Sequence, residues 1–263
     1  MLKKRLIPCL LLQNGQLVKS TRFNDFQIIG NPKVAVQFFN AWAVDEIIFL
    51  DISETKEYTS LLRSDYNYKT LDNIIEILKD IAKICFVPLT VGGGIKTLDQ
   101  MNDIFRNGAD KVSLNTEAVR RPSFISEAAN KFGSQAVVIS IDVKKHKGKY
   151  EVFINHGREP TGLKPVDWAK KVESLGAGEI FLTSIDRDGL LNGYDLDLVK
   201  IVVEAVHVPV ISCGGVGKWQ DLVDGVNIGG ASAVSAANIF HFTEQSTRNA
   251  KKYMAEAGID VRI

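Results

Sequence analysis

The chain of 263 residues is long enough to bury a sizeable hydrophobic core, and its 45% hydrophobic and 24% charged residues are ordinary for a globular enzyme. Because 32 Lys and Arg residues face 31 Asp and Glu residues, no bulk charge favours nucleic acid or a membrane surface as a partner. The longest apolar run, Leu6–Leu12, is too short for a transmembrane helix and lacks the cleavage site of a signal peptide. Cys9, Cys85 and Cys213 have no metal-ligand spacing, and their odd number within apolar segments indicates reduced thiols in a cytoplasmic protein.

Eight short apolar runs predict β-strands that are covered on both faces, because they are rich in Val, Ile and Leu and mostly do not alternate with polar residues. In chain order they are Leu6–Leu12, Glu46–Asp51, Phe86–Val91, Lys111–Leu114, Ala136–Asp142, Glu179–Ser184, Val208–Cys213 and Ala233–Ala236. The clearest amphipathic stretches between them predict helices over Pro32–Trp42, Leu71–Ile84, Leu98–Asn107, Pro122–Phe132, Val166–Leu175 and Leu196–Val206. Strand and helix alternating in this way predict a parallel sheet that closes into one TIM-type (β/α)8 barrel over residues 1–263, with an open doubly wound sheet as the alternative.

Three connecting segments are longer than those of a minimal barrel. Gln13–Gly30, Ile52–Lys69 and Val143–Gly162 follow the first, second and fifth predicted strands. Because barrel active sites are built where the strands end, we expect the first two segments to cover a substrate. The third contains a lysine-rich run that favours a solvated hairpin, with an anion site as the second interpretation.

The second half of the chain repeats the first. Pro32 lies 14 residues before Glu46, and Pro165 lies 14 residues before Glu179. A period near half the chain predicts two half-barrels of four βα units, covering about residues 1–132 and 133–263. We therefore expect the two halves to offer matching binding positions on opposite sides of the barrel mouth.

Glycines follow the third and seventh predicted strands. Gly92-Gly93-Gly94 and Gly214-Gly215 occupy these places, while Asn115-Thr116 and Ala237-Asn238 follow the fourth and eighth strands. Glycine lets backbone N–H groups approach an anion closely, and loops after strands seven and eight often bind phosphate in such barrels. The duplication predicts two phosphates at opposite rims, and glycines that only make tight βα turns are the alternative.

Carboxylates also follow the predicted strands, at Asp51, Asp142 and in the segment Asp186-Arg187-Asp188-Gly189. A carboxylate in this place points into the mouth and is partly desolvated, which suits a general acid or base. For Asp51, a helix cap or a salt bridge inside the barrel is the alternative. Asp142 ends an otherwise apolar strand, where an unneeded charge would be costly, so we predict that it is catalytic. The repeat pairs Asp142 with Leu11, so the chain holds one member of a symmetric two-acid site.

Along its whole length the chain resembles the cyclase subunit of imidazole glycerol phosphate synthase, the HisF family. The segments that carry the resemblance are Lys3–Leu10, Thr90–Ile95, Gly108–Ser113, Phe132–Val137 and Leu182–Gly189. The resemblance implies a heterodimer with a glutaminase subunit (HisH-like), whose ammonia crosses the barrel to the mouth. There the family cleaves and cyclises a ribulosyl aminoimidazole carboxamide nucleotide that has a phosphate at each end. It implies no metal and no cofactor.

The resemblance also implies roles for single residues. The matching phosphate positions are Gly94, Asn115 and Thr116 in one half and Asp188, Gly189, Gly215, Ala237 and Asn238 in the other. Lys19, Asp51 and Thr183 match positions around the substrate, and Asp142 matches a catalytic Asp. A ring of charges gates the ammonia path at the barrel floor in the family, and its positions match Arg5, Glu46, Lys111 and Glu179. Salt bridges that plug the floor are a compatible interpretation of the same ring. The surface that faces the glutaminase matches Asp110 and Gln135. Asn238 stands where the family usually has Ser, and Asn can still donate to phosphate.

Leu11 departs from the family, which has a second catalytic Asp at this position. Because Leu cannot transfer a proton, we interpret the chain as a diverged paralogue. Such paralogues resemble partners in bacterial surface-polysaccharide pathways, where a third protein, an amidotransferase, uses the ammonia to make an acetamidino group. Two alternatives stay open: a working histidine-pathway cyclase in which another group replaces the missing Asp, and a non-catalytic ammonia conduit. A single-chain sugar-phosphate isomerase would not need the charged ring.

Overall fold

The computed structural model describes residues 3–55, 58, 73–241 and 246–263. Its strands are β1 (Arg5–Gln13), β2 (Gln16–Thr21), β3 (Asp25–Gly30), β4 (Ile47–Asp51), β5 (Leu89–Gly92), β6 (Lys111–Leu114), β7 (Val137–His146), β8 (Lys149–Ile154), β9 (Glu159–Pro160), β10 (Glu179–Ser184), β11 (Val210–Cys213) and β12 (Ala233–Ala236). Eight of them pair in parallel in the order β10-β11-β12-β1-β4-β5-β6-β7, and the pairing of β7 with β10 closes the sheet. The predicted (β/α)8 barrel is confirmed, and the open doubly wound sheet is excluded.

Helices surround the barrel. They are α1 (Pro32–Ala41), α2 (Ile74–Ala82), α3 (Leu98–Arg106), α4 (Thr116–Arg120), α5 (Ser123–Phe132), α6 (Pro165–Ser174), α7 (Leu196–Val203), α8 (Trp219–Asn227) and α9 (Thr247–Glu256), with short 3-10 turns at Ser134–Ala136 and Asn238–His241. Pro32 and Pro165 lie in the first turn of their helices, where a missing N–H costs no hydrogen bond. Among the described helices, none is long and apolar enough to cross a bilayer.

Two predicted strands begin later than expected. The runs from Phe86 and from Val208 predict strands, but β5 begins at Leu89 and β11 at Val210. In each case a proline, Pro88 or Pro209, precedes the strand, and proline cannot donate to a ladder. The predicted helix Leu71–Ile84 is α2, which begins at Ile74; its predicted residues 71 and 72, and most of the predicted covering segment Ile52–Lys69, lie outside the described residues.

Two antiparallel hairpins rise from equivalent strands of the two half-barrels. β1 continues into β2 and β3, with Leu11 opposite Val18, and β7 continues into β8 and β9, with Asp142 opposite Phe153. The lysine-rich run forms the end of the β7–β8 hairpin, as predicted. The first barrel strand of each proposed half thus continues into a hairpin of its own.

Alternation along the strands separates the barrel interior from the layer between strands and helices. The interior holds a small apolar cluster: Ile7, Cys9, Ile48, Val138, Phe181, Ile211, Cys213 and Ala233. Leu11, Leu50 and Ala237 pack onto this cluster at its mouth side. The larger apolar core fills the space between the barrel and its helices. The interior cluster therefore separates the barrel floor from the mouth, where the candidate site lies.

Candidate active site

A cavity of about 440 Å³ opens at the carboxyl ends of the strands. Eight of the residues that the sequence predicts for the site line it: Asp51, Gly94, Asn115, Thr116, Asp142, Thr183, Asp188 and Ala237. Residues from both half-barrels contribute, although they are far apart in the chain. Convergence of polar groups in one cavity is the usual form of a small-molecule site.

Asp142 is buried at the wall of this cavity. Its Oδ2 accepts a hydrogen bond from Asn115 Nδ2 at 3.1 Å, and its Oδ1 accepts one from Ser140 Oγ at 3.2 Å. Burial raises the pKa of the Asp142 carboxyl to about 7, with a further rise from the charge of Asp188, while the Ser140 hydrogen bond opposes the shift. A carboxyl that titrates near neutral pH can both release and accept a proton under working conditions.

Asp188 is a second carboxyl with a raised pKa in the same cavity. Burial raises its pKa to about 6, against hydrogen bonds from the Ser20 hydroxyl and the Phe23 backbone N–H. Ser20 and Phe23 belong to the β2–β3 hairpin and its turn, so this hydrogen-bonded contact ties the hairpin to the loop after β10. The charge of Asp188 disfavours ionisation of Asp142, so the protonation states of the two carboxyls in this cavity are linked.

Asp51 and Thr183 complete the polar wall. Asp51 is buried, and its Oδ1 accepts a hydrogen bond from the Ser53 backbone N–H at 3.0 Å. Burial and the charge of Asp51 raise the pKa of the neighbouring Tyr58 phenol. Thr183 is the register partner of Asp142 across the β7–β10 ladder and is also buried.

Leu11 lies at the mouth and lines the cavity. It pairs with Leu50 across the β1–β4 ladder and packs with Leu50 and Ala237 against the interior cluster. The side of the mouth that would need a second acid is therefore apolar. A substrate held in this cavity meets a carboxyl from β7 and hydrocarbon from β1.

The glycines after β5 and β11 are required by the backbone. A Cβ on Gly93 would lie 2.1 Å from the carbonyl oxygen of Asp51, and one on Gly214 would lie 2.7 Å from that of Ser184. Gly93 and Gly214 are equivalent in the repeat, so the tight-turn interpretation holds in both halves. Gly215 is also packed against backbone, because its Cβ would lie 2.2 Å from the Gly193 carbonyl oxygen. Phosphate binding by the same loops stays a prediction, since a tight turn does not compete with it.

Four predicted substrate residues lie outside the cavity. Lys19, Gly189 and Asn238 line a neighbouring groove of about 390 Å³ between the β2–β3 hairpin, α1 and the turn after β12. Asn238 Nδ2 donates to the Ser20 carbonyl at 3.1 Å. Gly215 lines neither space. The predicted second phosphate set is thus divided, with Asp188 and Ala237 in the cavity and Gly189 and Asn238 in the neighbouring groove.

The predicted charged ring closes at the opposite end of the barrel. Arg5 binds both Glu46 (2.8 Å) and Glu179, and Lys111 Nζ lies 2.9 Å from Glu46 and 3.0 Å from Glu179. Thr90 Oγ1 also donates to Glu46 at 2.6 Å. Burial alone would lower the pKa of the Arg5 guanidinium, but the hydrogen bonds and charges of Glu179 and Glu46 outweigh it and raise this pKa. The floor is thus sealed by alternating charges.

Aspartates outside the ring fix the strands that carry it. Asp110 is exposed, and its Oδ2 accepts the Leu89 backbone N–H at 2.8 Å, which ties β6 to β5. Asp45 Oδ2 accepts the Leu6 N–H at 2.8 Å, and its Oδ1 binds the buried Lys251 ammonium at 2.7 Å. Gln135 is exposed just before β7, at the same end of the barrel as Asp110. Asp110 and Gln135 are therefore both exposed at the floor end of the barrel, and their contact with a glutaminase stays a prediction.

His156 is a lining residue that the sequence did not predict. It lies in the turn between β8 and β9 and borders the cavity together with Asn155. The chain position gave no signal, because nothing in the sequence indicates that this turn folds back over the mouth. Among the described residues, no group of three or more His, Cys, Asp or Glu side chains is arranged to hold a metal ion.

Fold and site together define a (β/α)8 barrel of the kind that carries its active site at the carboxyl end of its strands. A family model described as "Histidine biosynthesis protein" matches residues 5–246, and the chain belongs to this family.

Proposed function

We propose that the chain is the cyclase-type subunit of a glutamine-dependent complex, in which a partner glutaminase supplies ammonia to a phosphorylated acceptor at the barrel mouth. We also propose that this acceptor differs from the histidine-pathway nucleotide. The observation that carries the proposal is the apolar Leu11 across a cavity that retains Asp142. Loss of one general acid or base lowers the rate by a factor of about 10² to 10⁴, so the chain should catalyse the family's two-acid cyclisation slowly.

Asp142 is the proton-transferring group in this proposal. With its pKa raised to about 7, it accepts a proton from the nitrogen as ammonia adds to a carbonyl-type carbon of the acceptor, whose π-bond electron pair moves onto the attached oxygen or nitrogen. Asn115 and Ser140 hold the carboxyl in place through the hydrogen bonds described above. By analogy, the acceptor belongs to surface-polysaccharide synthesis, where the nitrogen enters an acetamidino group, and an amidotransferase of that pathway is a candidate third protein in the complex.

The charged floor supports a retained ammonia donor. The ring of Arg5, Glu46, Lys111 and Glu179 spans the barrel end that also exposes Asp110 and Gln135. An isomerase that uses no ammonia has no need of four charges facing one another on the barrel axis. The ring therefore favours a heterodimer with a glutaminase over a self-contained enzyme.

Asp188 favours a second candidate function, cyclisation of the histidine-pathway nucleotide itself. Its pKa of about 6 and its place in the same cavity as Asp142 make it a substitute for the acid absent at position 11. In that case the two acids of the reaction lie on β7 and after β10 rather than on β7 and β1.

One assay separates these candidates. The purified chain is given ammonium salt at alkaline pH and the ribulosyl nucleotide, and formation of imidazole glycerol phosphate is followed. We expect turnover far below that of an ordinary cyclase. Turnover at the ordinary rate would overturn the first candidate and establish the second.

Leu11→Asp and Leu11→Asn form a matched pair for the same assay. If the rest of the site is intact, Leu11→Asp raises cyclisation by one or more orders of magnitude, whereas the similar-sized Asn, which cannot transfer a proton, does not. Equal rates in both variants would show that position 11 is not the cause. If neither Leu11→Asp nor the unaltered chain turns over the ribulosyl nucleotide and the chain still stimulates a glutaminase, the histidine-pathway cyclase is excluded, and an enzyme with a different acceptor and a non-catalytic conduit are the two remaining functions.

A further inference from the structure

The turn between β8 and β9 returns to the rim where β6 ends. β8 runs antiparallel to β7 with Phe153 opposite Asp142, so residues 155–158 lie close to the carboxyl ends of the barrel strands. The Asn155 backbone N–H donates to Thr116 Oγ1 at 3.0 Å. His156 is the next residue and lines the same cavity as Gly94, Asn115 and Thr116. His156 is thus a neighbour of the first predicted phosphate rim.

The turn has an unusual backbone that holds this histidine in place. Asn155, His156 and Gly157 all have positive φ, at 52°, 59° and 73°. A Cβ on Gly157 would lie 3.1 Å from Phe23 and 3.1 Å from Ile185, so the turn is packed against the other hairpin and the loop after β10. Successive residues with positive φ cost conformational free energy unless they are glycine. Such backbone persists where the surrounding packing enforces it. The packing fixes His156 over the mouth.

Several ion pairs lie around this rim. Arg158 binds Glu54 at 2.9 Å, Arg120 binds Glu159 at 2.9 Å, and Glu117 lies 3.3 Å from Arg121. Among the described residues, the basic side chains that line the cavity are Lys96, Arg120 and His156. The carboxyls of Asp51, Asp142 and Asp188 line the cavity on its other walls.

We propose that His156 contacts the phosphate group that Gly94, Asn115 and Thr116 hold, and that its protonation strengthens this contact. The inference rests on the proposed phosphorylated acceptor and adds a residue to its binding site. The neutral imidazole donates one N–H, whereas the imidazolium donates two and carries a charge, and hydrogen bonds between ionised partners are about twice as strong as neutral ones. The protonated imidazole should therefore hold the phosphate more tightly than the neutral one.

Binding of inorganic phosphate tests this inference without any turnover. Calorimetric titrations are made at about pH 5.5 and about pH 8, on either side of the ordinary histidine pKa. We expect His156→Asn, which keeps a residue that tolerates positive φ, to bind phosphate about 3- to 10-fold more weakly than the unaltered chain at the lower pH. The difference should shrink at the higher pH. Since Asp142 and Asp188 also lose charge as pH falls, the effect is read from the comparison of the two proteins and not from one pH profile.

His207→Asn is the matched control, because His207 is almost fully exposed just before β11, at the floor end of the barrel. It should bind phosphate like the unaltered chain at both pH values. Equal affinity of His156→Asn and the unaltered chain at both pH values would overturn the role of His156 alone. Absence of phosphate binding by the unaltered chain would instead overturn the phosphorylated acceptor. A crystal soaked in phosphate should place an anion within hydrogen-bond distance of the His156 imidazole, and an anion bound at this rim away from the imidazole would contradict the inference.

Discussion

Asn115 donates a hydrogen bond to Asp142 at 3.1 Å, and the positions equivalent to these two residues in the other half-barrel hold Ala237 and Leu11. Both pairs lie at the mouth on neighbouring strands, β6 with β7 and β12 with β1. One pair is polar and hydrogen-bonded, whereas the other packs on the apolar interior cluster. The two half-barrels therefore differ in a pair of residues from neighbouring strands, and not only in the residue at position 11.

The same contrast extends to two further positions of the repeat. Ser140 donates to Asp142, while its equivalent Cys9 belongs to the apolar cluster. Thr183 pairs with Asp142 across the ladder, while its equivalent Leu50 pairs with Leu11. The polar residues Asn115, Ser140, Asp142 and Thr183 thus have the apolar equivalents Ala237, Cys9, Leu11 and Leu50. Asp51, at the end of β4, keeps a buried carboxyl in the half-barrel that holds these apolar residues.

Ser140→Ala should raise the pKa of Asp142 further. The Ser140 hydroxyl donates to the carboxylate and opposes the upward shift caused by burial, so its loss removes a contact that favours the charged form. We expect a rise of roughly half a unit to one unit, measured by NMR titration of the labelled carboxyl carbon.

Ser113→Ala is the matched control, because its buried hydroxyl lines the same cavity and has no hydrogen-bond partner within the described part of the chain. It should leave the Asp142 titration where it is. A Ser140→Ala profile that coincides with the control would contradict the assigned hydrogen bond.

The buried carboxyl of Asp142 should make folding stability fall as pH rises. The folded protein keeps the proton up to about pH 7, whereas the unfolded chain releases it near pH 4, so the folded state binds more protons between these values. The free energy of unfolding therefore decreases across this window, by up to about 4 kcal/mol, and then levels off. Asp188, with its pKa of about 6, contributes in the same direction.

Asp142→Asn should flatten this profile and stabilise the protein at neutral pH while it abolishes proton transfer. Urea unfolding at about pH 5 and about pH 8 gives the two free energies to compare. Asp260→Asn, which alters an exposed carboxylate near the carboxyl terminus, should leave the slope unchanged. Stability of the unaltered chain that increases between these two pH values would contradict the raised pKa.

Much of the fold could be predicted from the sequence, because buried parallel strands and their intervening helices carry a clear pattern. The runs at β1, β6, β10 and β12 match the structure to within one residue at each end, and Pro8 lies inside β1 without ending it. α8 and α9 were not among the predicted helices. The pattern of α8 is weakened because it contains Gly225, and that of α9 because it buries the charged Lys251. Local patterns cannot show that a lysine will find Asp45 across the fold.

The candidate site divides in a similar way. Strand-end carboxylates such as Asp142 could be predicted because every strand of a parallel barrel ends at the same mouth. The position of Lys19 in the neighbouring groove could not, because the alternation of side chains along β2 depends on the register of the hairpin. His156 was missed because its role depends on the tertiary path of the β8–β9 turn.

Lys251→Met should destabilise the barrel floor. The Lys251 ammonium is buried, and it binds Asp45 at 2.7 Å and the Ala43 carbonyl at 2.6 Å. Removing it leaves the Asp45 carboxylate buried without its cation, which costs about 3 kcal/mol or more in unfolding free energy. Chemical denaturation measures this loss.

The double variant Lys251→Met with Asp45→Asn tests the cause of this loss, by comparison with Lys251→Met alone. Because Asn is uncharged, the second change removes the unpaired charge and should recover part of the stability. Recovery would attribute the loss to the buried charge, whereas additive losses would attribute it to packing of α9.

Lys111→Met should separate ammonia delivery from chemistry at the mouth. Lys111 binds both Glu46 and Glu179 at the floor, far along the strands from Asp142 at the mouth. The change leaves two nearly buried carboxylates with Arg5 as their shared cation, so we expect a loss of about 3 kcal/mol in unfolding free energy. Lys83→Met removes the exposed pair with Asp80 and should cost less than about 1 kcal/mol.

The functional readout for Lys111→Met is a ratio of two rates of product formation, measured with the same acceptor. The first rate is measured with the glutaminase and glutamine, and the second with ammonium salt. If the ring belongs to the ammonia path, this ratio changes in Lys111→Met and stays constant in Lys83→Met, while turnover with ammonium salt is retained by the folded fraction. If the ring only seals the floor, the ratio should be the same in both variants, although Lys111→Met still lowers the free energy of unfolding. Because the two outcomes share the stability loss and differ in the ratio, the measurement distinguishes a gate from a plug.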